Sequence, residues 1–363
     1  MLLRLEPRPV SSRGMQYASP VIAAALTVLA GLILFSALGR DPLVALYTFF
    51  VHPLTSLYGL GEWAIKATPL LLCALGLAIG FRGNVWNIGA EGQLTMGAIA
   101  GGGVALAFWG SEGPWLLPLM LVAGALGGMA WGLVPAILKT RCNANEILTS
   151  LMLSYVAVHV LGHLVHGPWR SPEGFNFPET RMFGEYGLMP VLVSGTRLHL
   201  GVIIALIALA IGWVYVARTF SGFRIAVVGK APAAAAYAGY SRNRVVVASF
   251  LISGGLAGLA GIVEVSGTIG QLQPLISPGY GFAAIIVAFL GRLHPFGILL
   301  ASLLMSLMYL GGEALQIRLN LPPAVTGMFQ GLLLFFVLGS DVLVRYRIRL
   351  LRTGREVEAH GRP

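Results

Sequence analysis

Long apolar runs, separated by short polar or glycine-rich breaks, account for most of this chain. A helix that crosses a bilayer needs about 20 predominantly apolar residues. Runs of that kind predict ten spans, at about 20–38, 62–82, 90–109, 115–138, 147–166, 198–217, 245–265, 279–292, 295–316 and 324–344. The expected fold is all-α, a polytopic membrane helix bundle of about ten transmembrane helices. Residues 1–19 then form a cytoplasmic tail, 20–344 the transmembrane domain and 345–363 a second, basic tail. The first run, PVIAAALTVLAGLILFSAL, exceeds a signal-peptide core and lacks a small-x-small cleavage site, so it reads as an uncleaved anchor.

Composition excludes the alternatives. Of 363 residues, 56% are apolar and 10% charged, and the mean hydropathy is +0.81. A soluble domain carries about 25% charged residues and roughly 45–50% apolar ones. A water-soluble globular enzyme is thereby excluded, and so is disorder, which needs low hydrophobicity and high charge. Cys73 lies in an apolar run and Cys142 in a short loop, so no disulfide framework is implied.

The net charge of +10 resembles a nucleic-acid signal until its distribution is read. With the N-terminus inside, all but six of the 24 lysines and arginines fall in cytoplasmic segments; the six are Arg40, Lys66, Arg170, Arg181, Arg197 and Arg318. That asymmetry is the positive-inside bias. It makes the anionic leaflet the partner of the basic residues, and no nucleic acid is required. Both termini are expected in the cytoplasm. Three connecting stretches are long: an outer one at 40–61 with the amphipathic piece DPLVALYTFF, an outer one at 167–197, and a cytoplasmic one at 218–244.

Two polar breaks interrupt the apolar sequence. GFRGNVWNIGAEGQLTMGAIAGGG, residues 80–103, carries Asn84, Asn87, Glu91 and Gln93 among glycines. Polar groups at membrane depth are costly and usually face a cavity or a partner. The stretch reads either as a cytoplasmic turn with Glu91 capping the next helix, or as a broken segment at the inner end of a solute path. VEVSGTIGQLQPLISPGYGF, residues 263–282, carries Glu264, Gln271 and Gln273 on the opposite side. If spans two to five correspond to spans seven to ten, the breaks occupy equivalent joints facing opposite leaflets, the pattern of an inverted repeat. Gly76/Gly80, Gly97/Gly101, Gly124/Gly128 and Gly254/Gly258 have the four-residue spacing that lets helix backbones approach.

Residues 222–240, GFRIAVVGKAPAAAAYAGY, contain an alanine-rich piece that begins at Pro232 and stops at Gly239, which predicts a short surface helix suited to docking into another protein. This stretch resembles the coupling segment of the permease family of ABC importers for branched-chain amino acids, ribose-type sugars and nucleosides. The family pattern G-x-N-x-x-A-A-x-Y-A-G-I is matched by Gly229, Ala234, Ala235, Tyr237, Ala238 and Gly239, while Ala231 and Tyr240 replace its Asn and Ile. The blocks GNVWNIGAEGQLTMGA (83–98), NEILTSLMLSYVA (145–157) and GFAAIIVAFLGRLHPFGILLAS (281–302) are similar to the same family, most of all to its nucleoside and simple-sugar branch.

The resemblance implies a membrane subunit that pairs with a second permease subunit, is driven by cytoplasmic ATPase subunits and receives solute from an extracytoplasmic binding protein. Gly229, Lys230, Ala234, Ala235, Tyr237, Ala238 and Gly239 become the ATPase-coupling residues. Asn84, Asn87, Glu91, Gln93, Glu264 and Gln271 are the candidates for the substrate pathway. The residues themselves agree on the energy source: the only Gly-Lys pair, Gly229–Lys230, has Arg224 where a phosphate-binding loop requires glycine, so ATP hydrolysis must come from another chain. No catalytic residues, cofactor or metal are expected. His159, His163 and His166 share one helix face, a spacing open to metal binding or to a plain interfacial cluster. Glu313, Gln316 and Gln330 are open to vestibule lining or helix packing. A secondary transporter using Glu91 or Glu264 as its ion-coupling carboxylate is the competing class. Polar, uncharged path residues suit a solute bearing hydroxyl or amide groups; the resemblance favours nucleosides, with simple sugars as the alternative.

Overall fold

The computed structural model describes residues 2–7, 13–325, 327–328, 331–332, 335–336, 339 and 346–351. Most of the predicted tenth span (324–344), Gln330 and residues 352–363 lie outside the described residues. The chain divides into two compact units, residues 1–52 with 311–363, and residues 53–310.

In the first unit, β1 (Leu2–Pro7) leads to α1 (Arg13–Ala37), which starts inside what reads from sequence as a tail. α2 (Pro42–Phe50) follows, with proline in its first turn and the Asp41 carboxylate accepting the N–H groups of Leu43 and Val44. α12 (Pro295–Leu319) enters this unit at Gly311, whose missing Cβ leaves room for the carbonyl of Phe49. β2 (Tyr346–Leu351) pairs antiparallel with β1, from Leu2 opposite Leu351 to Pro7 opposite Tyr346.

The second unit holds α3 (Leu57–Arg82), α4 (Ala90–Ala107), α5 (Leu116–Cys142), α6 (Glu146–His166), α7 (Gly201–Arg218), α8 (Phe220–Lys230), α9 (Pro232–Tyr237), α10 (Arg242–Glu264), α11 (Tyr280–Leu290) and most of α12. α3, α5, α6, α7, α10 and α12 are long and apolar enough to cross a membrane; α10 gains a π-helical turn to Ile269. α4 is different because it is interior. Twelve of its 18 residues are buried, so no lipid-facing stripe has to be apolar. α11, with 11 residues, rises about 16 Å, half a bilayer core.

Lipid is as apolar as leucine, so helices in a membrane associate through close backbone approach. Here three of the glycine pairs meet in one place. Gly97 of α4 lies against Gly258 of α10, and Gly254 and Gly258 interlock with Gly124 and Gly128 of α5. A Cβ on Gly76 of α3 would come within 2.7 Å of the Ser253 Cα on α10. Hydroxyls along these helices are absorbed by carbonyls one turn back, as in Thr68 to Ala64, Thr95 to Glu91 and Ser302 to Ile298. α5 ends on Asn143 at φ 50°, and the Asn145 side chain accepts the N–H groups of Ile147 and Leu148 to start α6. Lys139 and Glu146 close that turn with a 2.8 Å ion pair.

Candidate functional site

Arg82 ends α3 at the end of the bundle that also carries Arg141, Arg218, Arg224, Arg242 and Arg244, here called the basic end. From Arg82 the chain turns back into the bundle. Asn84 takes the left-handed conformation and its Oδ1 accepts the Trp86 indole N–H at 2.9 Å, an exposed turn. By Asn87 the chain is level with Ser253 of α10 and Gly76 of α3, about 9 Å deeper than Arg82. The Asn87 amide donates to Gln93 Oε1 and Ser253 Oγ, both at 2.9 Å, and its carbonyl accepts from the Gly89 N–H and from Gln93. α6 supplies the remaining caps: Ser150 Oγ accepts the Ile88 N–H and Ser154 Oγ accepts the Gly92 N–H. α4 thus starts within the bundle, with the N–H groups around its start met by side chains.

α11 starts inside the bundle as well, reached from the opposite end. After the π-helical turn, residues 270–279 descend to Ser277, whose Oγ accepts the N–H groups of Gly279 and Tyr280. The next donor, the Gly281 N–H, is taken by Glu91 Oε2 at 2.7 Å, and the same carboxylate meets the Ser277 hydroxyl and the Phe282 N–H. One carboxylate at the start of α4 therefore caps the start of α11. Gly281 is required there, since a Cβ would overlap the Glu91 backbone. α11 then runs to the basic end, where Phe289 stacks on Phe81 at 5.0 Å and Arg82 Nε donates to the Leu293 carbonyl at 2.9 Å.

The descending segment is fastened to residues 167–200 mainly through the backbone. N–H groups of Thr180, Phe183 and Met189 donate to the carbonyls of Leu272, Gly270 and Ser266, and Gln271 Nε2 donates to Glu179 Oε2 at 2.7 Å. Beside it lies a group of charges. Arg197 makes a two-pronged bond to Glu62, 2.8 and 2.9 Å, and Glu264, buried at the end of α10, is within electrostatic reach of Lys66, Arg197 and Glu62. His199, which the sequence reading assigned to a span, precedes α7 and is buried. Its Nδ1 accepts the Gly201 N–H, so the ring proton of the neutral form sits on Nε2, which has no partner among the described residues. Burial, with Arg197 beside it, pushes this imidazole down to about 4.

At the basic end, the 218–244 segment forms two helices where one was expected. α8 lies against the end of α3, and Gly229 is the contact, its Cα facing the Arg82 carbonyl. α9 begins at Pro232 and ends through Gly239 at φ +77°. Ala235 is the buried residue of α9, packed in a cluster with Ile79, Ile225, Val228, Val245 and Val246. Lys230, Ala234, Ala238 and Gly239 are exposed, and Tyr237 is 98% exposed.

The predicted substrate-pathway residues therefore separate into four places, apart from the coupling residues on α8 and α9. Asn87, Glu91 and Gln93 meet at the inner joint, Asn84 stays on the turn below it, Glu264 joins the opposite charge group, and Gln271 joins the clamp. The side chains of Asn87 and Gln93 bond to each other and to Ser253. Ser253, Ser150, Ser154, Ser277 and Gly281 were missed, as were Glu62, Arg197 and His199. The four-residue spacing of Ser150 and Ser154 inside NEILTSLMLSYVA was the available signal. His159, His163 and His166 lie on the exposed face of α6, and among the described residues no three His, Cys, Asp or Glu side chains gather as metal ligands.

Residues 59–338 match the family described as branched-chain amino acid transport system / permease component. The chain is 34% identical to the glucose ABC transporter permease protein TsgB13 of Haloferax volcanii, over 98% of this chain and 97% of that one. It is 31% identical to the guanosine ABC transporter permease protein NupP of Bacillus subtilis, over 88% and 92%. It is 30% identical to the nucleoside ABC transporter permease protein NupB of Lactococcus lactis, over 88% and 89%. With a helical bundle, several membrane-crossing helices and this match along most of its length, the chain belongs to the branched-chain amino acid transport system permease family and is a multi-pass membrane permease subunit of an ABC importer.

Proposed function

We propose that this subunit passes nucleosides into the cytoplasm, driven by an ATPase that docks on α8 and α9. The observation that carries the coupling reading is the build of that platform: Tyr237 and Ala234 stand exposed on α9, whose Ala235 packs among residues of α3, α8 and α10, while Gly229 of α8 seats on the Arg82 carbonyl at the end of α3. A docking surface of this kind has to be stiff beneath and open above. The relatives named for guanosine and nucleosides support the solute. A second reading, a glucose-type sugar, is favoured by the Haloferax relative.

The basic end faces the cytoplasm in this reading, in keeping with the positive-inside bias. Pairing of β1 with β2 brings the two terminal strands together, which suits an even number of spans, ten, with both ends on the cytoplasmic side. The breaks at 83–89 and 265–279 enter the bundle from opposite ends and each leads into a helix that starts inside it. That supports an inverted repeat of spans two to five and seven to ten. A second permease subunit and an extracytoplasmic binding protein complete the assembly.

The test is uptake into proteoliposomes containing the permease pair, its ATPase and its binding protein. ATP-dependent accumulation of labelled nucleosides over glucose is the expected result. Preference for glucose would replace the solute, and uptake that follows a proton or sodium gradient without ATPase would overturn the coupling reading.

A further inference from the structure

We propose that the groove between the C-terminal end of α5 and the N-terminal end of α10 binds the phosphate headgroup and upper acyl chain of an anionic phospholipid. The groove is a cavity of about 470 Å³ at the basic end. Thr140, Arg141, Asn243 and Arg244 form its polar lining, and Val247, Ala248 and Leu251 its apolar floor.

The charge is unspent. Arg141 and Arg244 are exposed, and among the described residues neither guanidinium makes an ion pair or a hydrogen bond. No acidic residue lines the cavity, and the nearest in sequence, Glu146, is held by Lys139 at 2.8 Å. A guanidinium fork suits the oxygens of a phosphate. Arg244 also borders a smaller cavity of about 110 Å³ whose lining includes Arg224.

The floor decides which phosphate. Positions 244, 247, 248 and 251 lie on one face of α10, a cation followed by two turns of apolar side chains running about 10 Å into the bilayer-crossing part. On α5 the surface beyond Arg141 continues through exposed Ile137 and Val134. A cationic rim above an apolar wall matches an amphiphile lying along the helix; a free ion would have no use for the wall. Basic pockets between membrane helices are known to hold anionic headgroups.

The test uses the intact permease in nanodiscs of phosphatidylcholine with increasing phosphatidylglycerol, with retained lipid read by native mass spectrometry. Wild type should retain phosphatidylglycerol selectively. R141Q and R244Q should each weaken retention about fivefold and the double variant about 25-fold, while R242Q, an exposed arginine off the cavity, leaves it unchanged. L251Q should weaken lipid retention and leave inorganic phosphate binding unaffected. Undiminished phosphatidylglycerol in the double variant overturns the proposal. So does inorganic phosphate that competes as strongly as the lipid, which would mark a free-anion site. Loss of the ATPase or of the second permease with lipid retention intact would mark a protein contact instead and overturn it equally.

Discussion

Glu91 Oε2 of α4 accepts the Gly281 N–H of α11 at 2.7 Å, so a carboxylate in the first turn of one helix that begins inside the bundle caps the first turn of another. Removing it in Glu91→Ala leaves the buried N–H groups of Gly281 and Phe282 without an acceptor. Each costs about 1–3 kcal/mol, so the variant should unfold several degrees lower in detergent and lose uptake. Glu91→Gln keeps a carbonyl oxygen for one donor and should fall between. A Glu91→Gln protein as stable as wild type but unable to move solute would point to an ion-coupling role for the carboxylate.

Gly281 makes a separate demand. Its Cα sits so near the Glu91 backbone that Gly281→Ala must push α11 away from α4. Overpacking of this kind costs typically 1–3 kcal/mol. Gly162→Ala on α6, where a Cβ would meet nothing within 4 Å, is the matched control and should be neutral to slightly stabilising. Melting temperature and ATP-dependent uptake, measured on both, separate the effect of the joint from that of glycine loss.

On the basic platform, two adjacent alanines should behave differently. Ala234→Asp places a charge on the exposed side of α9, so folding should be unaffected while ATPase docking weakens about tenfold or more, the effect of roughly 1.4 kcal/mol. Ala235→Asp buries a charge among Ile79, Ile225 and Val228 and should cut the yield of folded protein. Copurification of the ATPase with each variant reads the difference; equal docking by Ala234→Asp and wild type would remove α9 from the interface.

His199 sets a pH dependence with a definite sign. In the unfolded chain it takes a proton below about 6.5, whereas in the folded protein it does so only near 4. The unfolded state therefore binds more protons in between, and stability present above pH 6.5 is lost as pH falls toward 4, by about 3 kcal/mol. Melting curves at pH 7.5 and pH 5 should differ more for wild type than for His199→Phe.

Most of the bundle was legible because apolar runs and glycine spacings are local features. α3, α5, α6 and α7 fall within a few residues of the expected spans, and the break at 83–89 was marked by its own polar residues. What each polar residue does was not legible, since hydrogen bonds across 166 or 190 positions, Asn87 to Ser253 and Gly281 to Glu91, leave no mark in either segment alone. The same holds for Ala235: one alanine among four in a row looks like the others until α8 and α10 are seen to close over it. α11 read as a span because its composition is that of one; its start within the bundle is set by Glu91, far away in sequence.

The glycine contacts joining α4, α5 and α10 have a mechanical consequence. Where backbone lies on backbone, as at Gly97, Gly128 and Gly258, there is no layer of pliable side chains to take up a displacement. Val245 and Val246 tie the lower end of α10 to the cluster that holds α9. A displacement of α10 at that end therefore meets α4 and α5 through rigid backbone contacts, as in a lever and unlike a spring. The three helices are built to tilt together, and any change in the width of a path past them has to occur at their edges.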